Sequence, residues 1–547
     1  MEEKRMDEDK LAEGQCSTPK TCAVEKKGVS EDWMSLWIGL FLFILSLGVF
    51  IGADLMGWGV TTAVWTDSSK ALSPISKSFQ GIKGEITKIE GQKLTLKKAD
   101  GKEEMITVKE DITQLKVGGT YEKKGLSGFI SLLLTYLFLL VIMSIGAAAL
   151  KADIGRFVIG FTIVFWISYI CWIVGSWAHI AVTTPSDMKK FGIEWSLKLT
   201  PEAGFIVALV AGLIVGNFFP GIAEAMKEAV RPELYIKTAI VILGGFLGVV
   251  AAEKLGLATA VMFRGLCAIV EAYLIYWALV YFVARKYFKF SKEWAAPLAS
   301  GISICGVSAA IATGGAIRAR PMIPIMVSSL VVIFAVVELL VLPFLAENFL
   351  WKEPMVAGAW MGLAVKTDGA AVASGAVTES LIRAKALAME GVNYKEGWII
   401  GAAATVKVFI DIFIGVWAFV LAIIWCSVIE CKPGEKVRVG EIWDRFPKFV
   451  IGYVITFAVI LYMGLTFPGL MGKTKAAMGE GNVFRGIFFT MTFFSIGVVS
   501  NFKKLWEEGI GKLAAVYLLC LFGFIIWIGL FISWLFFHGV KPPVITG

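Results

Sequence analysis

The sequence predicts an all-α polytopic membrane protein with one small β module inserted near its start. Two compositional observations predict this class: 57% of the 547 residues are hydrophobic and only 18% are charged. The third is distribution, because a window of about 19 residues finds apolar stretches along almost the whole chain. A soluble multidomain enzyme is excluded by that composition. The excess of 52 Lys+Arg over 44 Asp+Glu, a net charge of +8, fits basic cytoplasmic loops rather than a nucleic-acid surface. With 2 His, multi-His metal sites and paired-His haem ligation are hardly available. The 8 Cys mostly sit in apolar runs without CxxC spacing, so no metal site and no cofactor is expected.

Residues 1–33 form a polar tail, and the first apolar run, 34–58, is too long and too far from the start for a cleaved signal. It is expected to be a retained span within a 34–65 segment. Further apolar stretches lie at 127–149, 157–182, 203–219, 236–253, 257–284, 295–316, 322–346, 357–381, 398–429, 447–468, 484–501 and 511–537. Together they predict about 13 spans. Placing the N-terminus inside puts Arg285, Lys286, Lys289 and Lys292, the Lys432–Lys448 cluster and Lys503–Lys504 in the cytoplasm, as the positive-inside rule requires. A multi-pass protein of the inner (plasma) membrane, N-terminus cytoplasmic and C-terminus outside, is therefore expected.

Between the first two spans, residues 66–124 alternate apolar and polar at period two in Gly84–Glu90, Lys93–Lys98 and Glu104–Lys109. Asp100-Gly101 supplies a hairpin turn between the second and third runs. A module of four or five strands is expected, acting as a lid or accessory. Residues 125–200 then hold two accessory spans and a loop, and 201–547 form the core.

Two stretches depart from lipid-facing composition. Gly301–Gly315 is built mostly from Gly, Ala, Ser, Thr and Cys, and Gly358–Gly375 is similar, with Lys366 and Asp368 in its middle. Paired, interrupted segments of this kind point to a transporter binding site, because broken helices aim free N–H groups and half-helix dipoles at a cavity. Close small-xxx-small packing is the bland alternative. Ionisable residues in spans need a partner or water, since each costs roughly 2.5–3.5 kcal/mol at a helix centre on insertion scales. The clearest are Lys366 and Asp368, then Lys407 and Asp411, with Arg264, Glu271 and Glu338 behind them. Lys407 and Asp411 share a helix face at i,i+4, which predicts an internal ion pair. Lys366 beside helix N-termini would suit an anion. Arg264 and Glu271 are expected to snorkel or pair.

Internal similarity is weaker. Gly248-Val-Val-Ala251 and Gly497-Val-Val-Ser500 each close a span an odd number of crossings apart, the arrangement an inverted-topology repeat would give. Phe467-Pro-Gly-Leu-Met-Gly-Lys-Thr474 narrowly misses a phosphate-binding loop: Phe467 stands where its first glycine should be. It is expected to be a loop.

From about residue 200 onward the chain resembles the sulfate exporter family of bacterial membrane proteins. The resemblance rests on Ser303-Ile-Cys-Gly-Val-Ser-Ala309, the Gly362-centred segment, Val406-Lys407 and Ile496-Gly-Val-Val-Ser-Asn-Phe502. It departs at Val365-Lys366-Thr367-Asp368, where the family tends to read Ile-His-Asp-Thr, and at Ile410, where the family has arginine. The resemblance implies an anion transporter fold of about ten spans.

The leading expectation is a secondary transporter of a small anion (sulfate, sulfite, a sulfonate or a carboxylate), bound where the two small-residue segments meet. Ser303, Cys305, Gly306, Ser308, Thr313, Lys366, Thr367 and Gly369 are the candidate substrate residues. Asp368, Lys407 and Asp411 are candidates for coupling or charge pairing. An anion channel and a sensor reading ligands through the β module are the competing expectations. A membrane enzyme is not expected, because no nucleophile–base–acid set is evident. Partners would be the bilayer and the small anion, with a homodimer allowed by the Gly-rich helices and no nucleic acid.

Overall fold

The computed structural model describes residues 29–90, 93–97, 103–107, 115–182, 185–197, 201, 203–317, 319–320, 322–425, 443, 447–500 and 511–545. Helix α1, Glu31–Ser46, starts at Ser30, whose hydroxyl accepts from the Trp33 N–H, with Glu31 and Asp32 in the first turn where the helix dipole favours acids. After the β module come α2 (Gly128–Ala149), α3 (Ile154–Gly175), α4 (Ala203–Phe218), α5 (Pro232–Glu253) and α6 (Leu255–Lys286). The rest are α7 (Lys292–Ser303), α8 (Ser308–Ala316), α9 (Met322–Leu350), α10 (Pro354–Ala364), α11 (Asp368–Glu390), α12 (Trp398–Ile424), α13 (Phe449–Thr466), α14 (Met471–Val499) and α15 (Gly511–Phe537).

Among the described residues, ten helices are long and apolar enough to cross a membrane, and an eleventh is α4 taken with Pro220–Met226, bent by 112°. The chain is an all-α polytopic membrane protein with a β insert. The two remaining predicted spans, 295–316 and 357–381, do not run straight through: each turns back on itself. In the first, the Arg320 N–H donates to Glu293 Oε1 at 2.7 Å, Thr313 Oγ1 donates to Ser300 Oγ at 2.7 Å, and a Cβ on Gly301 would lie 3.5 Å from that of Ala310. These pairings make α7 and α8 antiparallel arms of a hairpin. In the second, α12 is the ruler. Gly358 packs on Ile399 and Gly362 on Ala403, so α10 runs with α12; Asp368 pairs with Lys407 and Glu379 binds the start of α12, so α11 runs against it. A window of about 19 residues cannot distinguish a helical stretch that reverses inside it from one through-going helix.

The helices form two sets that pack densely within themselves and meet sparsely. One set, α1, α3, α4, α5, α13 and α14, centres on α5, 94% of whose most apolar window is buried, against 28% for the peripheral α2. The other holds α6, both hairpins, α9, α12 and α15. Gly248–Ala251 and Gly497–Ser500 lie at the ends of α5 and α14, which pack antiparallel: Ile242 faces Gly481 and Met478 faces Gly245. Lys503 and Lys504, and most of the Lys432–Lys448 cluster, lie outside the described residues.

The β module is a four-stranded antiparallel sheet of order β5-β4-β3-β6, from β3 (Ile82–Glu90), β4 (Lys93–Lys97), β5 (Glu103–Thr107) and β6 (Thr120–Lys123). Its own small core is Ile86, Leu94, Leu96 and Tyr121. Two short strands, β1 (Val60–Thr62) and β2 (Leu72–Pro74), pair separately beside it. The turn expected at Asp100-Gly101 lies outside the described residues, but Lys97 pairs with Glu103 across it. The loop expected at 467–474 is helical instead: Pro468–Leu470 form a 3-10 turn and Met471–Thr474 begin α14.

Candidate functional site

The two hairpins insert from opposite ends of the helical bundle, and their tips, 304–307 and 365–367, meet beside the middle of α12. The Gly306 N–H donates to the Lys366 carbonyl at 2.7 Å, joining the tips directly. Glycine is required at Gly306 by close approach, since a Cβ there would overlap Val331 and lie 3.3 Å from Thr367 Cγ2. Each tip leaves one carbonyl end and one N–H end of a half-helix without intrahelical partners. Lysines meet the carbonyl ends: Lys407 Nζ donates to the Ile304 carbonyl at 2.6 Å, and Lys366 Nζ donates to the Leu363 carbonyl. Asp368 is the first residue of α11, at the positive end of that half-helix, and the Thr367 hydroxyl caps it by accepting from the Ala370 N–H. Ammonium at the C-terminal ends and carboxylate at an N-terminal end is the arrangement the helix dipoles favour.

Lys366, Asp368, Lys407 and Asp411 are each 1% exposed, so all four charges are inside the protein. The ion pair runs from Lys407 to Asp368, at 3.5 Å, rather than to Asp411 as the i,i+4 spacing predicts. The tip of the first hairpin wedges against α12 and draws the ammonium towards the Ile304 carbonyl. Neither oxygen of Asp368, nor Oδ1 of Asp411, accepts a hydrogen bond among the described residues. Cys305 joins them, and the sulfur and one oxygen of each aspartate lie within 4.8 Å of one another. Such a grouping could hold a cation, and nothing in the spacing of these residues along the chain discloses it.

A second cluster surrounds Lys366. Its backbone N–H donates to Glu338 Oε2 at 3.0 Å, the Tyr517 hydroxyl donates to the other Glu338 oxygen, and its ammonium lies 4.5 Å from the centre of the Tyr276 ring. Tyr276 closes a π-helical turn, Glu271–Tyr276, and its hydroxyl reaches the Ile525 carbonyl at 2.8 Å, in a second such turn, Leu521–Ile525. π-turns often mark functional sites, because they release a residue from helical register. Here they bring Glu271, fully buried, close to Lys366.

A third group lies towards the start of α5. Lys237 pairs with Asp32 at 2.8 Å and Glu233 at 3.2 Å, and both Lys237 and Glu233 are within electrostatic reach of Asp368. A small cavity of about 20 Å³, lined by Glu233, Thr367, Gly369 and Thr492, separates this group from the N-terminus of α11.

Residues 196–516 match the family model described as Conserved hypothetical protein 698. A UPF0324 membrane protein of Nitrosomonas europaea is 40% identical over 518 residues, covering 94% of this chain and 97% of the relative. The chain belongs to the Conserved hypothetical protein 698 family. An uncharacterised protein of Archaeoglobus fulgidus is 53% identical over 165 residues, covering 26% of this chain and 88% of the relative. A UPF0324 membrane protein of Rhodopirellula baltica is 30% identical over 375 residues, covering 67% of this chain and 60% of the relative. The family match contains both hairpins, α12 and α14; α1, the β module, α2 and α3 precede it, and the Nitrosomonas relative extends over the module.

Within this family framework the predicted site residues separate. Cys305, Gly306, Lys366, Thr367, Asp368, Gly369, Lys407 and Asp411 gather at the meeting point. Ser303 is fully buried beside it, with no hydrogen bond to its hydroxyl among the described residues. Ser308 opens α8, whereas Thr313 lies further along that arm and bonds Ser300, which itself accepts from Trp277 Nε1 at 2.9 Å. Thr313 thus braces the hairpin rather than facing its tip. Arg264 is remote, donating to the Phe536 carbonyl. The residues that sequence reasoning missed are Tyr276, Tyr517, Asp32, Glu233 and Lys237, which reach the site only through tertiary packing.

Proposed function

We propose that this protein is a secondary transporter of a small anion, such as sulfate, sulfite, a sulfonate or a carboxylate, coupled to a proton or metal cation at the meeting point of the hairpins. The observation that supports it is charge balance. Around the tips stand two ammoniums, Lys366 and Lys407, and four carboxylates, Glu271, Glu338, Asp368 and Asp411. Uncompensated charge in a low-dielectric interior is expensive, so this cluster has to take up positive charge from solution. Asp368 and Asp411, beside Cys305 and short of hydrogen bonds, are the groups to receive it.

Cation uptake at a joint between two hairpins is what coupling requires, because the bound charge biases which arrangement of the tips is stable. Three cavities lie along the seam between the two helix sets, which is where alternating access would open, while a fourth, of about 500 Å³, lies within the hairpin set between α9 and α15. The resemblance to the sulfate exporter family supports the anion class, and the opposed hairpins support reading the core as an inverted repeat. Lys366 sits between two glutamates and holds a helix end, so in this reading it positions its hairpin, and the anion meets its positive partner elsewhere on the seam.

Counterflow in proteoliposomes tests the proposal: vesicles preloaded with unlabelled sulfate should accumulate labelled sulfate transiently and saturably. Flux that rises linearly with concentration and shows no counterflow would identify a channel instead.

A further inference from the structure

A polar cavity of about 180 Å³ lies on the seam, on the side from which the second hairpin enters, lined by residues of both helix sets. Arg383, on α11 of the hairpin set, faces it from one wall, and Arg485, on α14 of the other set, from the opposite wall. Arg485 is held in place by its environment. Its Nε donates to Asn482 Oδ1 at 2.6 Å, and its guanidinium lies 5.0 Å from the Phe489 ring centre and 5.8 Å from that of Phe246. Arg383 is anchored by the Tyr394 carbonyl at 2.9 Å and by Glu396 at 3.6 Å. The other carboxylate in the lining, Glu379, is occupied by three backbone N–H groups at the start of α12, those of Gly397, Ile399 and Ile400, at 2.8–3.2 Å. Thr62 and Tyr169, bonded to each other at 3.0 Å, add hydroxyls to the wall.

We infer that this cavity is an oxyanion-binding site, a station where a small oxyanion sits between Arg383 and Arg485 before reaching the hairpin tips. The inference rests on the transporter reading for the purpose of the site but not for its chemistry. Two guanidinium forks contributed from the two helix sets, beside the Thr62 and Tyr169 hydroxyls and with the lining carboxylates engaged, Glu396 by Arg383 and Glu379 by backbone N–H groups, match the planar or tetrahedral oxygens of a carboxylate or sulfate. The volume suits an ion of a few heavy atoms. Position gives the station its place in the route. The cavity spans Ala376–Arg383 of α11, eight to fifteen residues beyond Asp368, or roughly 12–22 Å along the helix at about 1.5 Å per residue. On α14 it reaches Phe489, and the small cavity at the N-terminus of α11 resumes at Thr492. The two cavities follow one another along the α11–α14 seam and lead to the N-terminus of α11, where Asp368 stands. Because each arginine belongs to a different helix set, sliding one set past the other would separate them and release the ion.

Equilibrium binding of radiolabelled sulfate to detergent-purified protein, at constant ionic strength set with sodium chloride, tests the site independently of transport. Saturable binding is expected, weakened at least tenfold by Arg485→Gln and by Arg383→Gln, and kept within twofold by Gly479→Ala, where an added Cβ meets open space. Gel filtration establishes that each variant is folded. Should an arginine variant not fold, Ala376→Asp, which keeps both arginines and adds a carboxylate to the wall, is expected to abolish binding. Wild-type affinity in the arginine and Ala376→Asp variants, or no binding of sulfate, phosphate or acetate to the wild type, would overturn the inference. Binding that depends on the arginines without counterflow leaves the site standing and removes the transporter reading. Counterflow unaffected by the arginine substitutions does the reverse.

Discussion

Replacing Lys407 by methionine is the perturbation whose consequence follows most directly from the geometry. Its ammonium lies 3.5 Å from Asp368 Oδ1 and 2.6 Å from the Ile304 carbonyl, with 1% exposure. At an effective dielectric of about 20, charges about 3.5 Å apart attract by about 5 kcal/mol, against which desolvation must be set. Removing one member of a buried pair typically costs about 3–5 kcal/mol, and stranding a buried carbonyl adds about 1–3 kcal/mol. Lys407→Met should therefore lower stability by several kcal/mol, while Lys407→Met/Asp368→Asn recovers part of it, with a coupling energy of about 2 kcal/mol. Asp411→Asn should behave oppositely to Lys407→Met, costing less than about 0.5 kcal/mol or stabilising, because it removes an excess carboxylate. Unfolding of the wild type, Lys407→Met, Asp368→Asn and the double variant in mixed detergent micelles, followed by tryptophan fluorescence, measures the cycle, and Asp411→Asn is unfolded alongside them. A coupling energy below about 0.5 kcal/mol would show that the pair does not hold the site, and the reasoning would fail.

Three further outcomes are expected. Gly306→Ala forces a methyl group against Val331 and should cost about 1–3 kcal/mol and depress flux, whereas Gly479→Ala, with open space around its Cβ, should leave flux unchanged and stabilise by about 0.5–1 kcal/mol. Thermal unfolding and counterflow compare the two. Glu379→Ala should cost about 1–3 kcal/mol by uncapping α12, read by the same unfolding assay, with Glu379→Gln intermediate because its single carbonyl oxygen cannot replace both carboxylate oxygens. Gly81 and Gly125 lie in direct backbone contact, so excising residues 82–124 and joining these glycines should leave counterflow within twofold; its loss would favour the sensor function for the module.

Much of the fold is legible in the sequence because bilayer length and apolar composition are local signals. The helices, the alternating strands and the small-residue segments are all read that way. The reversal of the two segments is not, since Gly301–Gly315 has the same composition whether its arms continue or double back. The decisive contacts, Arg320 with Glu293 and Asp368 with Lys407, are tertiary. Pairing at the site fails for the same reason: i,i+4 spacing nominates Asp411 for Lys407, and only the arrival of the Ile304 carbonyl redirects the ammonium. The excess of acid is hidden because Glu271, Glu338, Asp368 and Asp411 come from four helices. Arg383 and Arg485 read as ordinary charges near helix ends until their helices face each other across a cavity. A signal for Arg485 does exist in Asn482-Val-Phe-Arg485, a polar pair one turn apart leading into a long apolar run.

In the proposed transporter, positive charge taken up at Asp368 and Asp411 drives anion movement through the opposed hairpins. Concentrative uptake of labelled sulfate into proteoliposomes, under an imposed proton gradient and separately under an imposed sodium gradient, tests it most directly. One of the two gradients should drive accumulation above equilibrium in the wild type, and Asp368→Asn should abolish that accumulation while leaving sulfate binding intact. Accumulation that ignores both gradients, or persists unchanged in Asp368→Asn and Asp411→Asn, would contradict the account.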